Sequence, residues 1–449
     1  MTSPAVELQI KEIIARLTRV GVEKIDAARA ASSYGIDSLA QLEFRELLER
    51  RFRVYLDDRT FNGFGSISEL AAHIGARQTG PPPSPAGSDS ETSGRRDAPG
   101  PAHPGKWRLT PSGVLYDDVE IGMSLTCLNN LAESPLLKYL GDLRWRHLSA
   151  LAGVPSKQFA DEEGRRLYPS FFYVEMVFPP HSPMAAYGEN DRLKVSSTLK
   201  RYGGSMLDGH CCLLPADHAE PDAPPFDSVA ASVAAGVPAV RLSNIFVEQH
   251  NGSEWLRTAR PANPGFKTIP ELALAPESYL TMKQAEKGDP LARPADSYVP
   301  MTDGLARVEY RLVVDRDFSS TGLVYFANYP VFLDICEREA LASARLRLTE
   351  EMLDRRTLVR RRSAYLNNAS PRDTLVVEVE PWVENPYATN HPAPEAAPVR
   401  LFVNYRMYRK SDGRLMMVST AEKLVYGVPF AESALPADLL PARTGTGGA

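Results

Sequence analysis

The segment YPVFLDICEREALASARL, residues 329–346, is one of two long helical candidates in a stretch otherwise written as strands. Before it lies ARVEYRLVV (306–314). After it come TLVVEVEPWV (374–383) and LFVNYRMYRK (401–410). β-Branched and aromatic residues alternating with polar ones read as strands. The other helical candidate is SPLLKYLGDLRWRHLSALAG (134–153), followed by FFYVEMVF (171–178) and LKVSSTLKRYG (193–203). A long helix followed by several strands therefore occurs twice. The reading is an α+β region of two similar units, residues 106–290 and 291–449.

Toward the N-terminus the character changes. Residues 78–105, QTGPPPSPAGSDSETSGRRDAPGPAHPG, hold almost no large apolar side chain. Such a segment cannot bury a core and reads as a flexible, disordered linker. Residues 1–77 before it are helix and loop. AVELQIKEIIARLTR (5–19) spaces Val6, Ile10, Ile13, Ile14 and Leu17 as an amphipathic helix. SLAQLEFRELLERRF (38–52) gives a second helix, capped by Asp37 or Ser38, and ISELAAHIG (67–75) a third.

Composition narrows the functional classes. The chain has 449 residues, long enough for two or three domains. A formal net charge of −5 gives no nucleic-acid footprint. Four cysteines, Cys127, Cys211, Cys212 and Cys336, are too few for a disulfide framework, which points to a reduced cytoplasm. No apolar run has membrane-spanning length, and MTSPAVELQIKEII lacks the basic start and apolar core of a signal peptide. The eight histidines form no HxH or HExxH spacing, so no metal is expected.

The string YGIDSLAQLEF, residues 34–44, places a serine at the start of a helix. A helix N-terminus tolerates a phosphodiester's charge. Leu39 and Leu42 form a candidate recognition face, with acidic character from Asp37, Glu43 and Glu46. A plain N-cap is the bland reading of Ser38. The string resembles the D-S-L motif of acyl carrier proteins, and the resemblance covers residues 5–76. It implies 4′-phosphopantetheine on Ser38, a phosphopantetheinyl transferase as partner, and acyl thioesters as cargo.

Three further strings carry information: MSLTCLNNLAESPLLKYLGDLRW (123–145); DEEGRRLYPSFFYVEMVF (161–178) with YGENDRLKVSSTLKRYGGSMLDG (187–209); and DRDFSSTGLVYFANYPVFLDICE (315–337) with RRSAYLNNASPRDTLVVEV (361–379). The last pair resembles hotdog thioester enzymes, and RRSAYLNNASPRDTL resembles the strand and turn between sheet edges there. Together the strings resemble double-hotdog acyltransferase/decarboxylases of leinamycin-type polyketide pathways, over about residues 110–430. That resemblance implies a bifunctional reaction. A malonyl or methylmalonyl group arrives on coenzyme A and loses carbon dioxide, and the acetyl or propionyl group ends on a carrier protein of a polyketide or fatty-acid-type synthase; the acceptor is the chain's own Ser38 arm or a second carrier, and fusion favours the first. It also implies a homodimer, although a double hotdog is complete as a monomer.

By the same resemblance Tyr168 is the catalytic tyrosine, with Ser134 as a polar partner where the family leads us to expect asparagine. Ser170 lies on the same strand face as Tyr168. Asn328 stands near the start of the second long helix, whose N–H groups can polarise a carbonyl. Tyr168 could protonate an enolate or attack the thioester; free tyrosine titrates near pH 10, so attack needs activation, for which Arg165 and Arg166 are the candidates. Its bland reading is an aromatic pillar on a half-buried strand.

Other groups read more plainly. His210, Cys211 and Cys212 are packing residues at a strand end, Asp317 a cap or turn residue, Glu189–Asn190–Asp191 either a turn or, by resemblance to the family's END string, part of the site, and Asn367 and Asn368 left-handed turn residues. The alternative function is a carrier-fused hotdog dehydratase or thioesterase. No histidine–carboxylate pair stands out for the first, whereas Asp334 or Glu337 on the second helix could serve the other.

Overall fold

A computed structural model describes residues 3–78, 107–249, 256–385 and 398–426, apart from 19, 35, 37, 57–60, 62, 129, 320, 343 and 345–347. The expected linker beyond Gln78 lies outside the described residues.

The N-terminal domain is built from α1 (Ser3–Thr18), α2 (Ser38–Phe52) and α3 (Ile67–Gln78). Val6, Ile10 and Ile14 of α1 are fully buried. On α2 the buried apolar positions are Ala40, Phe44, Leu48 and Phe52, every fourth residue, so one apolar stripe faces the core. Ile67, Leu70, Ala71 and Ile74 of α3 close the same cluster. That stripe leaves Glu43, Glu46, Glu49 and Arg50 on other faces of α2. Asp37 lies outside the described residues, and so do the side chains of Ser38, Leu39 and Leu42.

The large region is one antiparallel sheet of fourteen strands laid over two long helices. In chain order its main elements are β1 (Trp107–Leu109), β2 (Leu115–Glu120), α4 (Glu133–Ala152), β3 (Leu167–Val177), β4 (Arg192–Ser197), β5 (Met206–Pro215), β6 (Ala239–Gln249), β7 (Leu256–Thr258), α5 (Glu277–Ala285), β8 (Tyr298–Pro300), β9 (Ala306–Arg311), α6 (Tyr329–Ala342), β10 (Arg356–Tyr365), β11 (Thr374–Glu384), β12 (Val399–Arg409) and β13 (Leu415–Val425).

The topology repeats. In the first half, neighbours across the sheet run β2-β4-β5-β6-β3. In the second they run β9-β11-β12-β13-β10. Each half is a strand, a long helix and four strands, and the second strand returns to the far side of the sheet.

The halves meet at β3 and β10, paired antiparallel from Val177↔Arg360 to Tyr173↔Ala364. The string RRSAYLNN therefore lies at the centre of the sheet, where it was expected near a sheet edge. Glu175 sits in this seam and accepts from Arg360 (3.0 Å) and Arg362 (3.1 Å). Burial raises its carboxyl, but the two guanidiniums win and hold it below the usual range.

One core joins both helices. Leu136, Leu140 and Leu143 of α4 pack in the same buried cluster as Phe332, Leu333 and Cys336 of α6, with strand residues of both halves. α4 ends at Gly153, whose φ of 70° makes the left-handed C-cap that glycine adopts at least cost. The opposite face of the sheet carries a smaller cluster, including Phe172, Tyr173 and Val418, under Tyr279 and Met282 of α5.

Burial on both faces explains the strands that alternation does not reveal. From Phe172 to Val177 every residue of β3 is buried, and HCCLL of β5 is buried throughout. His210, Cys211 and Cys212 thus lie inside a central strand, not at a strand end. No helix among the described residues is long and apolar enough to cross a membrane.

Candidate active site

Between the two long helices and the start of β3 lies a cavity of about 960 Å³. Its walls come from both halves. Tyr168 and Ser170 of β3 line it on one side, and Tyr325, Phe326 and Tyr329 at the entry to α6 line another. Tyr365 ends β10 and closes the wall with Asn367 and Asn368. Met282 and Glu286 contribute from α5 and the residue after it, Thr258 from β7, and Asp142 and Trp145 from α4.

Strand alternation puts Tyr168 and Ser170 on one face, two residues apart. They stand opposite Val247 and Ile245 of β6, which also line the cavity. The Arg166 guanidinium lies 4.6 Å from the centroid of the Tyr168 ring, within cation–π range. The structure separates the two arginines. Arg165 is held by Asp161 at 2.6 Å and Glu248 at 3.3 Å, whereas Arg166 lines the cavity.

The facing wall is aromatic. Phe326 stacks on Phe171 with centroids 3.9 Å apart. Gly141 of α4 makes that approach possible, since a Cβ there would stand 3.0 Å from the Phe326 ring. Tyr329 meets Tyr365 edge-on at 5.0 Å. Both phenols are pushed up by burial and stay protonated, as donors, at neutral pH. Phe326–Asn328 form a one-turn 3₁₀ helix leading into α6, and the first N–H groups of such a turn have no partner within it.

Two expected participants stand apart. Ser134 is buried in the first turn of α4 and is not among the lining residues. Asn328 is buried too, but its Nδ2 donates to the Arg316 carbonyl at 2.7 Å, so it fixes the chain at the start of α6. Asp317 accepts from the Val313 amide (2.8 Å) and the Tyr310 hydroxyl (3.2 Å), which is a turn role. Asn190 has φ 70°, while Asn367 and Asn368 are not left-handed. They are instead tied down by hydrogen bonds, Asn367 Nδ2 to the Leu415 carbonyl (2.7 Å) and the Val324 amide to Asn368 Oδ1 (3.0 Å).

Asp334 and Glu337 are committed elsewhere. Lys423 donates to both, at 2.8 and 2.7 Å, Arg361 pairs with Asp334 at 2.9 Å, and Arg356 and Tyr405 bind Glu337. Arg361 also reaches Glu133 of α4 at 2.6 Å. Burial opposes ionisation of both acids, but these cations keep them ionised, well below the usual range. Neither lines the cavity. His210 is neutral, bound to Thr198 and the Phe226 carbonyl, with burial lowering it to about 4. Burial pushes the Cys212 thiol up to about 11, which makes it inert.

Tyr365 and Asp142 are site residues that sequence reasoning missed. Tyr365 falls inside a string singled out above, yet only the β3–β10 seam brings it to face the start of α6.

The N-terminal domain lies against the cavity wall. Tyr279 of α5 donates to Glu43 at 2.7 Å, and Arg260 donates to both oxygens of Glu49 at 3.2 and 2.8 Å. Residues 9–74 match the family model described as the phosphopantetheine attachment site. The N-terminal domain is a carrier-protein-like domain. No curated protein matches the sequence significantly. Among solved structures, a putative oleoyl thioesterase from Lactobacillus plantarum aligns at TM-score 0.47 and 9% identity, covering 71% of this chain and 97% of its own. An acyl-ACP thioesterase from Bacteroides thetaiotaomicron aligns at 0.41 and 10%, covering 69% and 98%. The 12:0-ACP thioesterase of Umbellularia californica aligns at 0.39 and 10%, covering 69% and 94%. The chain thus joins a carrier-protein-like domain to a β-rich domain.

Proposed function

We propose that the β-rich region is a pair of hotdog units forming one enzyme, and that it decarboxylates a malonyl-type coenzyme A thioester and passes the acyl group to 4′-phosphopantetheine on Ser38. The observation that carries this reading is the chemistry of the cavity wall. The wall brings the hydroxyls of Tyr168, Ser170, Tyr329 and Tyr365 together with the cation of Arg166, while its two carboxylates, Asp142 and Glu286, come from α4 and the end of α5. Asp334 and Glu337 of α6, which a hydrolase could use as base, are taken up by Lys423, Arg356 and Arg361.

Decarboxylation needs no base. The C–C bond to the carboxylate breaks, carbon dioxide leaves, and the electron pair becomes the enolate of the thioester. Donors aimed at its oxygen lower that barrier, most strongly in a site shielded from water. Tyr168 then gives its proton to the enolate carbon and takes one back from solvent. No described base is hydrogen-bonded to its hydroxyl, which favours the acid role over the nucleophilic one. The thiol of the arm attacks the resulting acyl thioester, and coenzyme A leaves with the thiol proton.

A second reading has its own observation. Asp142 of α4 lines the cavity, with a side chain 74% exposed and only a 3.7 Å ion pair to Arg146. It could activate water for thioester hydrolysis. A dehydratase fits less well, since none of the described lining residues is a histidine.

Mass spectrometry of the intact phosphopantetheinylated chain, incubated with malonyl- and methylmalonyl-coenzyme A, separates these readings. Acetyl or propionyl mass on Ser38 supports decarboxylating transfer. Tyr168→Phe should then slow its appearance about 100-fold or more, the usual contribution of a positioned acid. Release of free acid, abolished by Asp142→Asn, would support hydrolysis instead.

A further inference from the structure

Two acids of α2, Glu43 and Glu49, have partners on the β-rich domain. Glu49 and Arg260 form a two-bond pair with both side chains 15% exposed. Glu43 accepts from Tyr279, and Arg50 donates to the Ala273 carbonyl at 3.1 Å. Beyond α2, the Tyr55 hydroxyl donates to Glu162 at 2.6 Å, and Arg260 lies 5.7 Å from the Tyr55 ring centroid. These are charge-assisted contacts from one helix to several separate segments.

The receiving surface is built for this. Gly204 has φ 77°, and a Cβ there would stand 2.9 Å from Arg260 Nε. Only glycine lets the arginine lie flat over that turn. Each anchor also sits beside the cavity wall. Arg260 follows lining residue Thr258 by two positions, and Tyr279 precedes lining residue Met282 by one helical turn. Ser38 opens α2, about 7.5 Å along the helix axis from Glu43.

We infer that Arg260, Tyr279 and the Ala273 backbone form a dedicated dock for the chain's own carrier domain, seating α2 so that the arm of Ser38 serves the adjacent cavity. This rests on the reading that Ser38 bears the arm, and it adds the surface, the partner and the intramolecular route. Docking explains how a tethered carrier becomes an ordered one. A linker alone sets a local concentration, whereas the dock fixes orientation. Like-charge reversal at such a contact repels, so it discriminates strongly.

The test uses the full phosphopantetheinylated chain. Acyl loading by a malonyl-type coenzyme A should be first order, with a rate independent of protein concentration. Arg260→Glu should lower that rate about tenfold, the scale of one lost charge-assisted contact. Adding Glu49→Arg should restore most of it. A chemistry-free arm places cysteines at Arg50 and Ala273 in a Cys127→Ser background, because Cys127 is the exposed native thiol. A short bismaleimide should join them within one chain, and Arg260→Glu should reduce the yield. Full-rate loading by Arg260→Glu, or no intrachain crosslink, overturns the dock. A crosslink sensitive to Arg260→Glu in a protein that no malonyl-type thioester acylates supports the dock and overturns the decarboxylation reading.

Discussion

Among the described residues the Arg166 guanidinium is held by the face of Tyr168, and under the proposed decarboxylation it is placed to meet the substrate carboxylate at the cavity. Arg166→Ala should raise the KM for malonyl-type thioesters about tenfold and lower kcat less, the pattern of lost ground-state binding. Steady-state coenzyme A release, followed with a thiol reagent, measures the split. Two buried histidines give a second expectation at this scale. Burial lowers His147 to about 3 and His210 to about 4, so each is neutral in the fold and titrates near 6.5 when unfolded. The unfolded chain then binds more protons below pH 6.5, and the folded state loses about 2 kcal/mol per histidine between pH 6.5 and 5. Denaturant midpoints should fall over that interval and be flat above pH 7. The sequence places Tyr168 and Ser170 together because alternation on a regular strand needs no tertiary knowledge. It gives no such purchase on Ser134 or Asn328. Which side of a helix faces a cavity, and which amide is tied to a carbonyl twelve residues away, are decided by packing.

The elements are held by charge as well as by apolar contact. Lys423 of β13 is 4% exposed and binds two carboxylates of α6, while Arg361 of β10 binds Asp334 of α6 and Glu133 of α4. Lys423→Met would leave those acids buried and short of a cation. It should destabilise the large region by about 3–5 kcal/mol, measurable by urea unfolding at neutral pH. This network spends the α6 acids on structure, a distinction invisible in the string FLDICEREA. Element identity is easier to read than element role. The helices α4 and α6 are legible because their apolar residues recur at helical spacing beside polar ones. β5 and β6 are not, since strands buried on both faces carry no alternation. The path of β10 through the middle of the sheet is equally hidden, because register between distant strands leaves no local mark.

At the scale of the whole molecule, the carrier contact is ionic at its centre and the β-rich region is continuous. Intramolecular loading should therefore slow as salt is raised, since the Debye length shrinks from about 10 Å at 0.1 M to about 3 Å at 1 M. Loading measured across that range, with Arg260→Glu as the insensitive comparison, checks it. A long helix followed by several strands, occurring twice, was legible as an order of elements, but the joining of the two halves into one sheet was not. That joining has a mechanical result. The five backbone pairs from Val177↔Arg360 to Tyr173↔Ala364, with the Glu175 cluster upon them, tie the halves by the same kind of bond that holds each half together. A duplicated domain usually melts as two bodies. Here neither half can open without baring the edge of the other. Denaturation curves from variants retaining only Trp145 or only Trp382, one in each half, should superimpose as a single cooperative transition. Two copies of one architecture would then behave, toward heat and denaturant, as one folding unit.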